Sequence, residues 1–206
     1  METNWAVENL QTIRTLMERS ALYRRALAPI MLFAGAIGVI TAIIGRLSHM
    51  DQGRNFCGLW LAAAIIAIAG TFCIARRQAL KANEVFWSPP TRRVAQALSP
   101  SLSAGLFLSV LLTAVPDNEE ISVVTSLLWI LFYGCAVHAA GFFMPRGIKL
   151  FGWIFIIGSC GLFSVFFLGW HHFELNPHWL MGFFFGVLHL AYGAYLYLTE
   201  KKNPAA

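Results

Sequence analysis

The side chains in this sequence best suited to binding a metal lie close together near its C-terminal end. His171, His172, Glu174 and His178 fall within eight residues. Imidazole and carboxylate groups are the ligands that zinc and other divalent ions prefer in proteins. Their order, H-H-x-E-x-x-x-H, matches no established zinc motif. The segment therefore predicts either a divalent metal site or a polar turn whose histidines bind nothing.

Two further histidines, His138 and His189, lie inside long apolar stretches. Burying an ionisable group in a membrane is costly, so such residues often bind a cofactor or line a transport path. On ideal helices the two rings differ in depth by about 10 Å, which disfavours a haem iron held by both. The structural alternative is a neutral histidine bonded to a neighbouring helix, with Tyr133 and Tyr192 as the candidate partners.

The apolar stretches are long enough to cross a lipid bilayer. Hydrophobic residues make up 58% of the 206 residues and charged residues only 12%, about half the share usual in soluble proteins. About 20 helical residues span a hydrocarbon core, and runs of that length are helices because they satisfy their own backbone hydrogen bonds. We predict a single all-helical domain, a six-helix integral membrane bundle of three helical hairpins. Its spans are predicted at residues 27–47, 57–75, 94–115, 121–143, 148–170 and 178–199.

Lysine and arginine are distributed unevenly along this chain. Thirteen lie on the side of the predicted bundle that holds both termini, and only Arg46 and Arg54 lie on the other. Positive residues remain on the cytoplasmic side of membrane proteins. We therefore predict a bacterial inner-membrane protein with both termini in the cytoplasm. The same bias explains the net charge of +5, so no nucleic-acid partner is predicted.

Residues 3–26 predict an amphipathic helix on the membrane surface. Ala6, Leu10, Ile13 and Met17 follow the 3.6-residue spacing of an apolar helix face. Arginines on the other faces suit anionic membrane lipids. Together with the basic segment 76–93, this helix would also form a contact surface for a cytosolic protein partner.

The string from Ile13 to Ser20, IRTLMERS, resembles the N-terminal IRxTMERS-like amphipathic helix of a group of uncharacterised bacterial polytopic membrane proteins. Residues 128–134 (LWILFYG) and 186–189 (GVLH) are also similar to that group. The resemblance implies no known activity, substrate or cofactor. It nominates Glu18 and His189 as residues worth testing.

Motifs for catalysis are absent from the sequence. It contains no Walker loop, GxSxG elbow, HExxH pair or dinucleotide-binding fingerprint. The predicted spans contain no carboxylate, which disfavours ion-coupled transport. We predict a non-enzymatic accessory or sensory membrane subunit with a basic cytoplasmic contact face. The alternatives are a small transporter or channel, and a metal- or haem-binding membrane protein; the sequence leaves the oligomeric state open.

Overall fold

The computed structural model describes residues 27–81, 83, 85–114, 119–168 and 176–202. It is 88% helix, and no strand occurs in these ranges. Six helices are long and apolar enough to cross a membrane. The prediction of an all-helical, six-helix membrane bundle is therefore confirmed. The predicted amphipathic helix at 3–26 lies outside the described residues, as do His171, His172 and Glu174.

Five spans are single helices and the sixth is composite. The single helices are α1 (Leu27–Leu47), α2 (Gly53–Lys81), α3 (Pro89–Leu112), α4 (Glu119–Ala140) and α5 (Arg146–Phe167). The sixth span, Pro177–Thr199, consists of α6 (Pro177–Met181), a π turn (Gly182–Val187) and most of α7 (Leu188–Lys202). In the predicted orientation, the α1–α2 turn and α6 lie at the outer end of the bundle.

α2 and α3 differ most from their predicted limits. α2 continues past Arg76 and Arg77 to Lys81, because arginine is a good helix former and a charged side chain can project into water. α3 begins at Pro89, whose fixed φ suits the first position of a helix. The two helices therefore extend beyond the predicted span limits of 75 and 94. Pro100 lies inside α3, as predicted.

α1, α4 and the sixth span form the centre of the bundle. In their most apolar stretches 39%, 50% and 44% of the residues are buried, against 17%, 11% and 22% for α2, α3 and α5. The outer three helices therefore present most of the apolar surface that faces lipid. α4 packs against both of its sequence neighbours, α3 and α5, and also contacts α2 and α6.

Glycines allow α1 and the sixth span to approach each other closely. A Cβ atom at Gly38 would lie 2.5 Å from the carbonyl oxygen of Phe185. On the opposite side, a Cβ atom at Gly186 would lie 2.9 Å from the backbone nitrogen of Val39. Small residues commonly permit such backbone contact between membrane helices. We call this contact the glycine seam; its members are Gly35, Gly38, Gly182, Gly186 and Gly193.

Candidate functional sites around the histidines

His189 lies on α7 beside the π turn, and only 2% of its surface is exposed. Its Nδ1 atom is 3.0 Å from the carbonyl oxygen of Phe184, and its Nε2 atom is 2.7 Å from the hydroxyl of Tyr133 on α4. A carbonyl oxygen only accepts, so Nδ1 carries the proton and Nε2 accepts a hydrogen bond from Tyr133. Both nitrogens of a neutral imidazole are thus paired, and the predicted bond to Tyr133 is confirmed.

Aromatic rings enclose the imidazole of His189. Phe151 and Phe155 of α5 meet it edge-on, with ring centroids 5.0 and 5.6 Å away. Phe185 stacks against it at 6.1 Å. Tyr192, the other predicted partner, stacks instead on Phe151 at 4.8 Å. A metal or haem iron could reach this histidine only by replacing one of its two hydrogen bonds.

The π turn positions the carbonyl group that His189 contacts. In an α-helix the carbonyl of Phe184 would accept from the backbone N–H of Leu188. Here the N–H of Leu188 donates to the carbonyl of Phe183, five residues back. The imidazole of His189 therefore supplies a donor to the Phe184 carbonyl. The sequence shows only the glycines at 182 and 186 around three phenylalanines, which do not define a hydrogen-bond register.

His178 is fully buried at the start of the sixth span. The indole nitrogen of Trp60 on α2 donates to its Nδ1 atom at 3.1 Å, and its Nε2 atom lies 3.0 Å from the carbonyl oxygen of Met50. An indole N–H only donates, so Nδ1 is unprotonated and Nε2 carries the proton. His178 therefore also uses both nitrogens inside the protein.

Polar residues around His178 join three elements of the bundle. The side-chain oxygen of Asn176 accepts hydrogen bonds from the backbone of His178 and Trp179 and so caps α6. Its amide donates to a carboxylate oxygen of Asp51 at 3.0 Å, and Arg46 lies 3.5 Å from the other oxygen. This network ties α6 to the α1–α2 turn and to α2. We call it the outer clasp; its members are Arg46, Asp51, Trp60, Asn176 and His178.

Of the four residues in the predicted outer metal site, the structure describes only His178. The ring nitrogens of that residue contact Trp60 and Met50, and Asp51 lies 3.9 Å from Nε2. Across the described ranges, no three histidine, cysteine or carboxylate side chains are grouped to hold a metal ion. A site that includes His171, His172 and Glu174 stays a prediction.

His138 occupies a more open position than His189. It is half-buried in the last turn of α4, and its Nδ1 atom lies 3.4 Å from the carbonyl oxygen of Lys149 on α5. Its ring meets Phe142 and Trp153 edge-on at 5.6 and 5.2 Å. None of these residues contacts His189. The structure therefore does not bring the two intramembrane histidines together around one ligand.

Several of these contacts could not be predicted from the types of the residues that make them. Trp60 and His178 are 118 residues apart in the chain, and no local pattern links them.

Comparison with known proteins assigns no family to this chain. No protein-family model, curated protein or solved structure matches the chain.

Proposed function

We propose that this chain is a non-enzymatic accessory or sensory subunit of the bacterial inner membrane that binds its partner through a basic cytoplasmic face. One observation carries the proposal: the two fully buried histidines of the described ranges use all their ring nitrogens in contacts within the bundle. His178 bonds Trp60 and Met50, and His189 bonds Tyr133 and the backbone. Imidazoles engaged in this way hold helices together and have no free nitrogen for catalysis.

Five exposed basic residues lie at the opposite end of the bundle, where α2 ends and α3 begins. Phe86 packs edge-on against Phe72 with ring centroids 4.7 Å apart, so the α2–α3 connection folds back along α2. Trp87, 56% exposed, lies in this connection. The basic face consists of the exposed residues Arg76, Arg77, Lys81, Arg92 and Arg93.

The composition of the basic face fits an acidic segment of a partner protein. Arginine and tryptophan are enriched at protein interfaces, and complementary charge speeds and orients association. The predicted amphipathic helix at 3–26 would extend the same surface. With both termini in the cytoplasm, as the distribution of lysine and arginine favours, these two segments face the same compartment.

Photo-cross-linking from position 87 tests the proposal. A photoreactive residue in place of Trp87 is expected to give one discrete cross-linked species in cells. Phe107 on α3 is 64% exposed in the lipid-facing region, and the same replacement there is the control. Reversing charge with Arg92→Glu and Arg93→Glu is expected to remove the species. Identical products from positions 87 and 107, or products that survive charge reversal, would contradict the proposal.

A further inference from the structure

A cation and three rings form a cluster at the inner end of the α4–α5 hairpin. The ammonium of Lys149 lies 3.5 Å from the centroid of the Phe142 ring. The His138 ring meets that same phenylalanine edge-on and also meets Trp153. We call these four residues the inner cluster. Phe142 is 64% exposed and Trp153 is 47% exposed, so the cluster lies open at the surface.

Close packing of the hairpin fixes the position of Lys149. A Cβ atom at Gly141 would lie 2.6 Å from Cγ of Lys149 and 2.9 Å from its backbone nitrogen. A Cβ atom at Gly152 would lie 2.6 Å from the backbone nitrogen of His138. The last turn of α4 and the first turn of α5 are thus in backbone contact. The stem of Lys149 crosses the end of α4, which places its ammonium on Phe142.

Among the residues that the structure describes, no acidic side chain pairs with Lys149. The sequence contains no aspartate or glutamate between residues 121 and 173. The ion pairs among the described residues involve Asp51 and do not include Lys149. Lys149 also lies in the first turn of α5, where the helix dipole disfavours a cation. Its position at a membrane boundary therefore favours an anion supplied from outside the chain.

We propose that the inner cluster binds the headgroup of phosphatidylglycerol, an anionic phospholipid, in the adjoining leaflet. Lys149 pairs with the phosphate, and Trp153 lies at the headgroup depth that tryptophan favours. His138 directs its Nδ1 proton to the carbonyl of Lys149, so its Nε2 atom accepts from a headgroup hydroxyl. The acyl chain follows exposed residues of α5, of which Ile154 and Ile157 are 50% and 65% exposed.

This site goes beyond the proposed function and does not depend on the basic face. Native mass spectrometry of the purified chain, titrated with phosphatidylglycerol or phosphatidylcholine, tests it. Lys149→Gln is expected to weaken phosphatidylglycerol binding about fivefold, because the phosphate loses the cation that pairs with it, whereas Lys149→Arg retains binding. Lys81→Gln removes an exposed lysine from the basic face and is expected to leave binding unchanged. Equal binding by Lys149→Gln and the unaltered chain, or an equal loss in Lys81→Gln, would overturn the proposal.

Fluorescence gives a second readout that does not depend on the folding of the lysine variants. The emission of Trp153 is obtained by subtracting the fluorescence of the Trp153→Phe variant from that of the unaltered chain. In vesicles with brominated acyl chains, brominated phosphatidylglycerol is expected to quench this emission more than brominated phosphatidylcholine does. At a pH at which phosphatidic acid is doubly ionised and has no hydroxyl to donate, His138→Phe is expected to abolish a preference for phosphatidylglycerol over phosphatidic acid. Equal quenching by the two lipids, or a preference unchanged in His138→Phe, counts against the site.

Discussion

Replacing Gly38 with alanine tests how the first and sixth spans are held together. The added Cβ atom would lie 2.5 Å from the carbonyl oxygen of Phe185 and 2.6 Å from its carbonyl carbon. Backbone atoms cannot rotate out of the way as a flexible side chain can. α1 and the sixth span must therefore separate by about 1 Å to restore ordinary van der Waals contact, a gap that forfeits up to about half of a contact's dispersion energy.

The expected loss of stability follows from two opposing effects. Overpacking of a well-filled contact typically destabilises a protein by about 1 to 3 kcal/mol. The separation also weakens the neighbouring contacts that Gly35 and Gly186 make along the seam. In the other direction, alanine in place of glycine stabilises a helix by about 0.5 to 1 kcal/mol. We expect Gly38→Ala to lower the free energy of unfolding by about 2 kcal/mol.

Unfolding in mixed detergent micelles, followed by circular dichroism, measures this difference. Gly58→Ala in α2 is the matched control, because a Cβ atom at Gly58 meets nothing within 4 Å. The control is expected to be as stable as the unaltered chain, or more stable by up to about 1 kcal/mol. If the two alanine variants unfold at the same detergent fraction, the glycine seam does not hold the spans together as described.

Two hydrogen-bond predictions use the same assay. Trp60→Phe leaves the buried Nδ1 atom of His178 without its donor and is expected to lower the free energy of unfolding by about 1 to 2 kcal/mol. Tyr133→Phe removes the hydroxyl that donates to His189. It is expected to cost about 0.6 to 1.7 kcal/mol, because interhelical hydrogen bonds within membranes contribute modestly.

Exposed residues of the same types supply the controls for these two variants. Trp179 is 56% exposed and Tyr195 is 59% exposed. Trp179→Phe and Tyr195→Phe are expected to change stability by less than about 0.5 kcal/mol. A loss in Trp179→Phe as large as that in Trp60→Phe would argue that indole volume, and not the bond to His178, stabilises the outer clasp. In the same way, a loss in Tyr195→Phe as large as that in Tyr133→Phe would argue that the bond to His189 does not stabilise the bundle.

The existence of the six spans could be predicted from the sequence because each is a long apolar run, and hydrocarbon solvent allows such a run only a helix. The ends of the helices could not be predicted equally well. The second span was predicted to end before Arg76 and Arg77, but a charged residue does not end a helix, so α2 continues to Lys81. The third span was predicted to begin at residue 94, yet α3 begins at Pro89.

The candidate sites were predictable only where residue type restricts the partners. A buried imidazole within a membrane has few available donors, so Tyr133 and Tyr192 could be named as candidate partners, of which Tyr133 bonds His189. The bond between Trp60 and His178 could not be predicted, because it depends on how distant spans pack. The π turn was equally inaccessible, since one shifted hydrogen bond at Leu188 leaves no mark on hydropathy.

The glycine seam has a consequence for how the protein is made. The backbone at Gly38 lies against that of Phe185, so α1 packs on a span that is synthesised much later. At ordinary synthesis rates the intervening residues take about 7 to 30 s to appear. Throughout that delay the small-residue face of α1 must be shielded by lipid or by the insertion machinery. Synthesis of the sixth span is therefore what completes the packing around α1.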